Sequence, residues 1–213
     1  MKTLSIGVVI AALTSSAGAQ TTFVFHDDMG PTPLATALDA QSGNINFVQD
    51  AVVLRSEAFL DGNSVGTAFN STASLFGIDN PGSITGGLDR GDRFDNLNGI
   101  ESAVFSIPQA GIFNSIDLRF IESNQINEAQ LLFANSVVYE LNFSTDTGGT
   151  TDIFAINQTF GANEQITLRV SPNAPADTNF SLESFTVTVP EPNGLPLAAT
   201  VLALTALSRR RKV

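Results

Sequence analysis

Five stretches of the chain alternate apolar and polar side chains with a period of two: Ala103/Phe105/Ile107, Ile116/Leu118/Phe120, Val137/Tyr139/Leu141/Phe143, Ile166/Leu168/Val170 and Phe185/Val187/Val189. Successive side chains of an extended chain point to opposite faces, so each stretch reads as a strand with one face in a core and one in water. Further extended candidates are Thr22 to His26, Ile45 to Leu54 and Asp152 to Ile156, separated by turns rich in Gly, Asn, Asp and Pro. Only Pro33 to Leu38 and Glu128 to Phe133 hint at helix. About eight to ten short strands with turns every 8 to 12 residues or so predict an all-β fold, a single antiparallel β-sandwich of jelly-roll or immunoglobulin type. The absence of Cys and Trp removes the usual immunoglobulin pin and favours the jelly roll. Neither an internal repeat nor a low-complexity linker divides this part, so one domain over 20–189 is expected.

Charge narrows the partners. From Gln20 to Ser208 the chain carries all 21 acids against five arginines (Arg55, Arg90, Arg93, Arg119, Arg169) and no Lys, which leaves −16. Nucleic-acid binding rests on Lys and Arg neutralising phosphates, so this surface argues against it.

The two ends read as addresses. Residues 1–19 have a cationic start at Lys2, an apolar run from Leu4 to Leu13 and small residues ending Ala17-Gly18-Ala19 before Gln20. That order predicts a secretory signal peptide cut by signal peptidase, with the mature chain starting near Gln20. Such a protein works outside the cytoplasm, and without Cys it relies on core area or bound ions.

At the other end, Val189-Pro190-Glu191-Pro192 is followed by Asn193-Gly194, an apolar helix over 195–208 and the cations Arg209, Arg210, Arg211 and Lys212. Two prolines stop the preceding strand and leave an extended, protease-accessible segment. The cations after the apolar stretch would stay on the cytoplasmic side. From Leu195 to Leu207 a helix is ~20 Å long, short for a bilayer core of ~30 Å, which suits a transient membrane tail better than a permanent anchor.

This ordered triple over 189–213 resembles the PEP-CTERM sorting signal of bacterial proteins processed by an exosortase. The resemblance implies a Gram-negative-type envelope, and delivery to the cell surface or extracellular matrix. The sandwich part is similar to PEP-CTERM ectodomains only in the loop-then-strand element from Phe94 to Phe105. The sortase pentapeptide Leu-Pro-x-Thr-Gly is not met by Leu195-Pro196-Leu197-Ala198-Ala199.

Oxygen-bearing side chains concentrate in one loop region: Asp79, Asp89, Asp92, Asp95, Asn96, Asn98 and Glu101. Calcium takes about six to eight oxygen ligands, which a folded-back Gly-rich loop could gather. The EF-hand pattern fails, since aligning Gly99 to its glycine puts Phe94 and Phe105 where carboxylates are required. The alternative is a solvated loop whose Asp and Asn close turns. Both readings stand at this level, with calcium the one candidate cofactor.

Catalytic signals are thin. Gly62-Asn63-Ser64-Val65-Gly66 matches the nucleophile-elbow spacing, but the chain's one His, His26, precedes it, against the hydrolase order. Ser64 therefore reads as part of a Gly-rich turn. With no Cys and a single His, thiol catalysis and His-rich zinc sites cannot form. Glycoside hydrolysis asks only for two carboxylates, but no Glu-x-x-x-Glu or Glu-x-Asp pair stands on one strand face with Trp stacking platforms. Sugar stacking is poorly supplied by no Trp and the single Tyr139. The expectation is a non-enzymatic exported protein contributing to envelope, biofilm or exopolysaccharide structure. The alternative is a carbohydrate-active module on the same sandwich, either a calcium-assisted lectin-like binder or a weak glycan hydrolase, with extracellular polysaccharide as partner.

Overall fold

The computed structural model describes residues 18–25, 44–63, 68–71, 76–79, 93–96, 99–120, 128–142, 151–175 and 178–190, and Gln20–Val189 forms a compact unit. Its strands are β1 (Gly18–Val24), β2 (Asn44–Gln49), β3 (Val52–Leu60), β4 (Ala68–Ser71), β5 (Phe76–Asp79), β6 (Phe94–Asp95) and β7 (Glu101–Ser106). They continue with β8 (Gly111–Phe120), β9 (Glu128–Phe133), β10 (Val138–Asn142), β11 (Thr151–Phe160), β12 (Gln165–Val170) and β13 (Asn179–Pro190). No helix occurs among the described residues.

Two antiparallel sheets dominate. One runs β1-β13-β8-β11 with β6 added on β13, and the other runs β10-β9-β12-β7-β3-β2. The pairs β1 with β13, β7 with β12, β8 with β11 and β9 with β10 nest first with last. That is the pairing of one long hairpin rolled over on itself, into which β2 to β6 are inserted.

Phenylalanine joins the sheets. Phe105 of β7 meets Phe185 of β13 at 5.4 Å, and Phe133 of β9 meets Phe113 of β8 at 5.9 Å, both edge to face. Phe25 and Phe76 stack at 4.9 Å, which brings the separate β4-β5 hairpin onto the same core. Each buried Phe contributes about 2 to 3 kcal/mol of transfer free energy, and each edge-on ring pair adds about 1 kcal/mol. Ser181 of β13 pins that hairpin: its buried hydroxyl accepts the Phe76 N–H at 2.7 Å and donates to the Phe76 carbonyl at 3.0 Å.

The expected alternation is seen where it is clearest. Ala103, Phe105, Ile107, Ile166, Leu168 and Val170 are buried, as are Phe185, Val187 and Val189. Two expectations are corrected. Ile45 to Leu54 is not one strand but the β2-β3 hairpin, because Asp50 and Ala51 have φ of 48° and 63° between the paired Gln49 and Val52. Positive φ at both central residues is the signature of the type I′ turn, whose twist matches that of the flanking strands. Glu128 to Phe133 is strand β9 rather than helix. Its good helix formers are overridden because β10 and β12 pair with it on both sides and Ala129, Leu131 and Phe133 enter the core on every second position. Pro33 to Leu38 and His26 lie outside the described residues.

Candidate functional site

The same alternation that fills the core aims a second set of side chains outward from the six-stranded sheet. Register aligns them in three rows. Phe59, Ser102, Arg169, Gln130 and Glu140 lie side by side across β3, β7, β12, β9 and β10. The next row is Glu57, Val104, Thr167 and Leu132, and the third is Asn46, Arg55, Ser106 and Gln165.

A hollow of about 610 Å³ opens over the first two rows, lined by Phe59, Asp61, Ile100, Ser102, Thr167 and Arg169 among others. A second, of about 270 Å³, lies over the third row, with Asn44, Asn46, Arg55, Glu57 and Ser106 in its wall. Val104 and Gln165 line both, so the two form one groove obliquely across the strands. Its floor carries a half-buried aromatic ring and an apolar stripe, and its walls carry amides, hydroxyls, two guanidiniums and two carboxylates.

Hydrogen bonds fix the polar part. Arg169 donates from Nε (2.9 Å) and Nη2 (2.7 Å) to Gln130 Oε1, and Gln130 Nε2 donates to Glu140 Oε1 at 2.7 Å. The relay crosses three adjacent strands and holds the guanidinium plane in one orientation. At the other end, Arg55 Nη1 donates to Asn163 Oδ1 at 3.2 Å. Asn163 sits in the β11-β12 turn with φ of 57°, and its backbone N–H is held by the Ile107 carbonyl at 2.8 Å.

The rim beside Phe59 is a second tight turn. Leu60 and Asn63 exchange backbone bonds at 2.9 and 2.8 Å around Asp61 and Gly62, whose φ values are 47° and 78°. This is the Gly-rich turn read from Gly62-Asn63; Ser64 lies outside the described residues. Asp61 then binds the chain entering β7: its Oδ1 accepts the Ile100 N–H at 2.8 Å, and its own N–H donates to the Ile100 carbonyl at 3.0 Å. Gly99 makes room for this. A Cβ there would lie 2.7 Å from Asp61 Oδ2, at a φ of 138° that other residues rarely adopt.

The residues singled out for calcium are placed unevenly. Asp95 and Glu101 are buried together, with the Asp95 N–H donating to Glu101 Oε2 at 2.9 Å, and Asn96 Nδ2 donates to the Pro175 carbonyl at 3.0 Å. Asp79 belongs to β5, while Asp89, Asp92 and Asn98 lie outside the described residues. Among the described residues no three His, Cys, Asp or Glu side chains come together as a metal site.

Of the processing residues, Ala19 and Gln20 belong to β1, and Val189 and Pro190 close β13. Ala17, Glu191, Pro192 and the Arg209 to Lys212 cluster lie outside the described residues. No helix among the described residues is long and apolar enough to cross a membrane.

Sequence reasoning missed the groove, because its members are scattered over six strands and become neighbours only through register. It also missed an acidic cluster on the other sheet. Burial raises the Asp117 carboxyl to about 7, and the charges of Glu183 and Asp152 push the same way. Arg119 Nη1 lies 3.8 Å from Glu183 Oε1. Glu183 reaches this position at a bulge where β13 slips register against β8 between Leu182 and Ser184. Tyr139 is not a stacking platform: its hydroxyl donates toward the Ile156 carbonyl and Gln158 Oε1, both at 3.3 Å, and ties β10 to β11.

No family model and no curated protein matches the chain. Among solved structures it is similar to a mutant of the family 29 carbohydrate-binding module CBM29-2, at 10% identity and a TM-score of 0.38, over 80% of this chain and 92% of that one. It is also similar to the GH26-CBM35 β-(1,4)-mannanase of Podospora anserina, at 14% identity and a TM-score of 0.35, over 72% of this chain and 29% of that one. A third is the carbohydrate-binding module CtCBM11, at 12% identity and a TM-score of 0.30, over 83% of this chain and 98% of that one.

Proposed function

We propose that this chain is a non-catalytic glycan-binding module, exported to the cell surface or extracellular matrix, and that it holds a polysaccharide along the outer groove of its six-stranded sheet. The observation that carries the reading is the row Phe59, Ser102, Arg169, Gln130, Glu140. It sets an aromatic face beside fixed donors and acceptors. A pyranose ring needs that pairing, because its C–H face is apolar and its hydroxyls each want a partner. Pre-formed polar groups also reduce the ordering cost of binding. Asp61 works as a backbone acceptor at the rim, which suits a binding role better than acid-base chemistry.

The nested strand pairing supports a jelly roll as the fold type. Export by residues 1–19 and sorting through residues 189–213 by an exosortase complete the proposal, and they rest on the sequence of the two ends. Calcium is part of it as an accessory and rests on the sequence, where Asp79, Asp89, Asp92, Asp95, Asn96, Asn98 and Glu101 are oxygen donors of the right kind.

The test is affinity electrophoresis and calorimetry against a broad set of soluble polysaccharides, with Phe59→Ala in the groove and Ile153→Ala on the opposite sheet as control. Phe59→Ala is expected to weaken binding about fivefold or more, at ~1 to 3 kcal/mol for a lost stacking face, while Ile153→Ala leaves it unchanged. Absence of binding to every polysaccharide, or equal binding by Phe59→Ala, would refute the assignment.

A further inference from the structure

Arg55 and Arg169 are the two cations of the groove, one in each hollow. Both are held by neutral amide oxygens, Asn163 for Arg55 and Gln130 for Arg169, and among the described residues neither makes an ion pair. In a stretch where 21 acids face five arginines, two guanidiniums without a carboxylate partner are unexpected. Gln130 is the reason for one of them. It stands between Arg169 and Glu140 in the same row, accepting from the first and donating to the second. The guanidinium is therefore oriented by a neutral amide through two of its five donors, leaving three for a ligand.

The groove is not simply basic, since Glu57 and Asp61 line it as well and Glu140 stands behind Gln130 in the same row as Arg169. Arg55 stands level with Gln165, and Arg169 follows four residues later on that strand, two strands over from Arg55. Their Cα atoms are thus about 17 Å apart, at about 4.8 Å per strand and about 3.4 Å per residue. Cationic points that far apart, with acids near each, favour a polymer whose negative charges are spaced. A carboxylate on every sugar would meet Glu57 and Asp61.

Resting on the glycan-binding reading, we infer that the groove takes an acidic heteropolysaccharide whose uronate carboxylates are separated by neutral sugars, with Arg55 and Arg169 each receiving one carboxylate. Bidentate carboxylate pairing is what a fixed guanidinium plane offers and a hydroxyl does not use fully. Exposed charges farther than a Debye length of ~8 Å at physiological salt are largely screened, so distant acids slow approach more than they weaken a local contact.

The experiment is calorimetric titration of the full-length chain with oligosaccharides of hyaluronan and gellan, whose uronates recur on every second and every fourth sugar. Polygalacturonate, charged on every sugar, and a neutral β-glucan are the comparisons. The expected result is at least about tenfold tighter binding of one spaced uronate polymer than of either comparison. Arg55→Gln and Arg169→Gln should each reduce that binding about tenfold and reduce binding of the neutral glucan by less, so that the preference for the spaced uronate falls in each variant. Arg169→Lys, which keeps charge without the planar fork, should fall between wild type and Arg169→Gln, and it stands in if the Gln variant does not fold. Equal or tighter binding of the neutral glucan, retained in the Arg variants, overturns the acidic ligand while leaving the glycan reading intact. Tighter binding of polygalacturonate overturns the spacing argument and the inference with it. Silence on all four probes and on the broad polysaccharide set overturns both.

Discussion

Replacing Asp117 with Asn isolates one ionisation in a folded sheet. In the folded chain this carboxyl titrates at about 7, against 3.8 for the ordinary group, with burial the largest cause and the charges of Glu183 and Asp152 next. A group whose folded pKa is raised binds more protons folded than unfolded. Stability is therefore fully present below the unfolded value and is lost as pH rises toward 7. At 1.36 kcal/mol per unit the span corresponds to ~4 kcal/mol, but Asp117 retains contact with solvent, which screens the effect to about 1 to 2 kcal/mol. Asp117→Asn keeps the shape and removes the charge. Urea unfolding of both proteins at pH 4 and pH 8 is the assay, read as the difference between variant and wild type so that the other acids cancel. The variant should be about 1 to 2 kcal/mol more stable than wild type at pH 8 and within a few tenths at pH 4. An equal difference at both pH values, or a variant less stable at pH 8, would show that Asp117 does not carry a buried charge cost and would refute the reasoning.

Two further outcomes follow from local chemistry. Ala51 holds a φ of 63° at the second position of the β2-β3 turn, where a Cβ costs about 1 kcal/mol; Ala51→Gly should raise stability by about 0.5 to 1 kcal/mol, measured by thermal and urea unfolding, and a loss would mean that the turn is not type I′. If calcium binds at the acidic loop, Asp89→Ala with Asp92→Ala should lower the Tm in calcium and leave it unchanged in chelator. Equal shifts in the two buffers remove calcium from the proposal.

Much of the sandwich is legible in the sequence because half-buried strands write their two faces in alternation. Ile166/Leu168/Val170 and Phe185/Val187/Val189 read correctly because over those residues only one face is buried, whereas the start of β13 at residues 179–183 is buried on both. Glu128 to Phe133 misleads because helix propensity is a local quantity, while the pairing of β9 with β10 and β12 is not. The β2-β3 turn is hidden because Asp-Ala lacks the glycine that usually announces a type I′ turn. The groove was not legible at all. Arg169, Gln130 and Glu140 are spread across 40 residues of chain and touch only after β12, β9 and β10 align. The oxygen-rich segment from Asp79 to Glu101 was legible as composition alone.

Core and groove are also tied to each other. On β3, β7 and β12 the residues that carry the groove alternate with Ala58, Ala103, Phe105, Ile166 and Leu168, all buried. Because the side-chain period is two, a one-residue slip would bury Arg55 or Arg169 and expose the core set. Burying an unpaired guanidinium costs several kcal/mol, and each lost Phe or Leu contact adds to that, so such a slip has no low-energy form. The hydrophobic pattern therefore does more than stabilise the sandwich: it sets which side chains stand in each row, and hence the distance between the two arginines. On this reasoning the spacing between cationic points is a property of strand register rather than of loops. Sequence drift in the turns can change the rim at Asp61 and Gly62 while leaving the row Phe59, Ser102, Arg169, Gln130, Glu140 aligned.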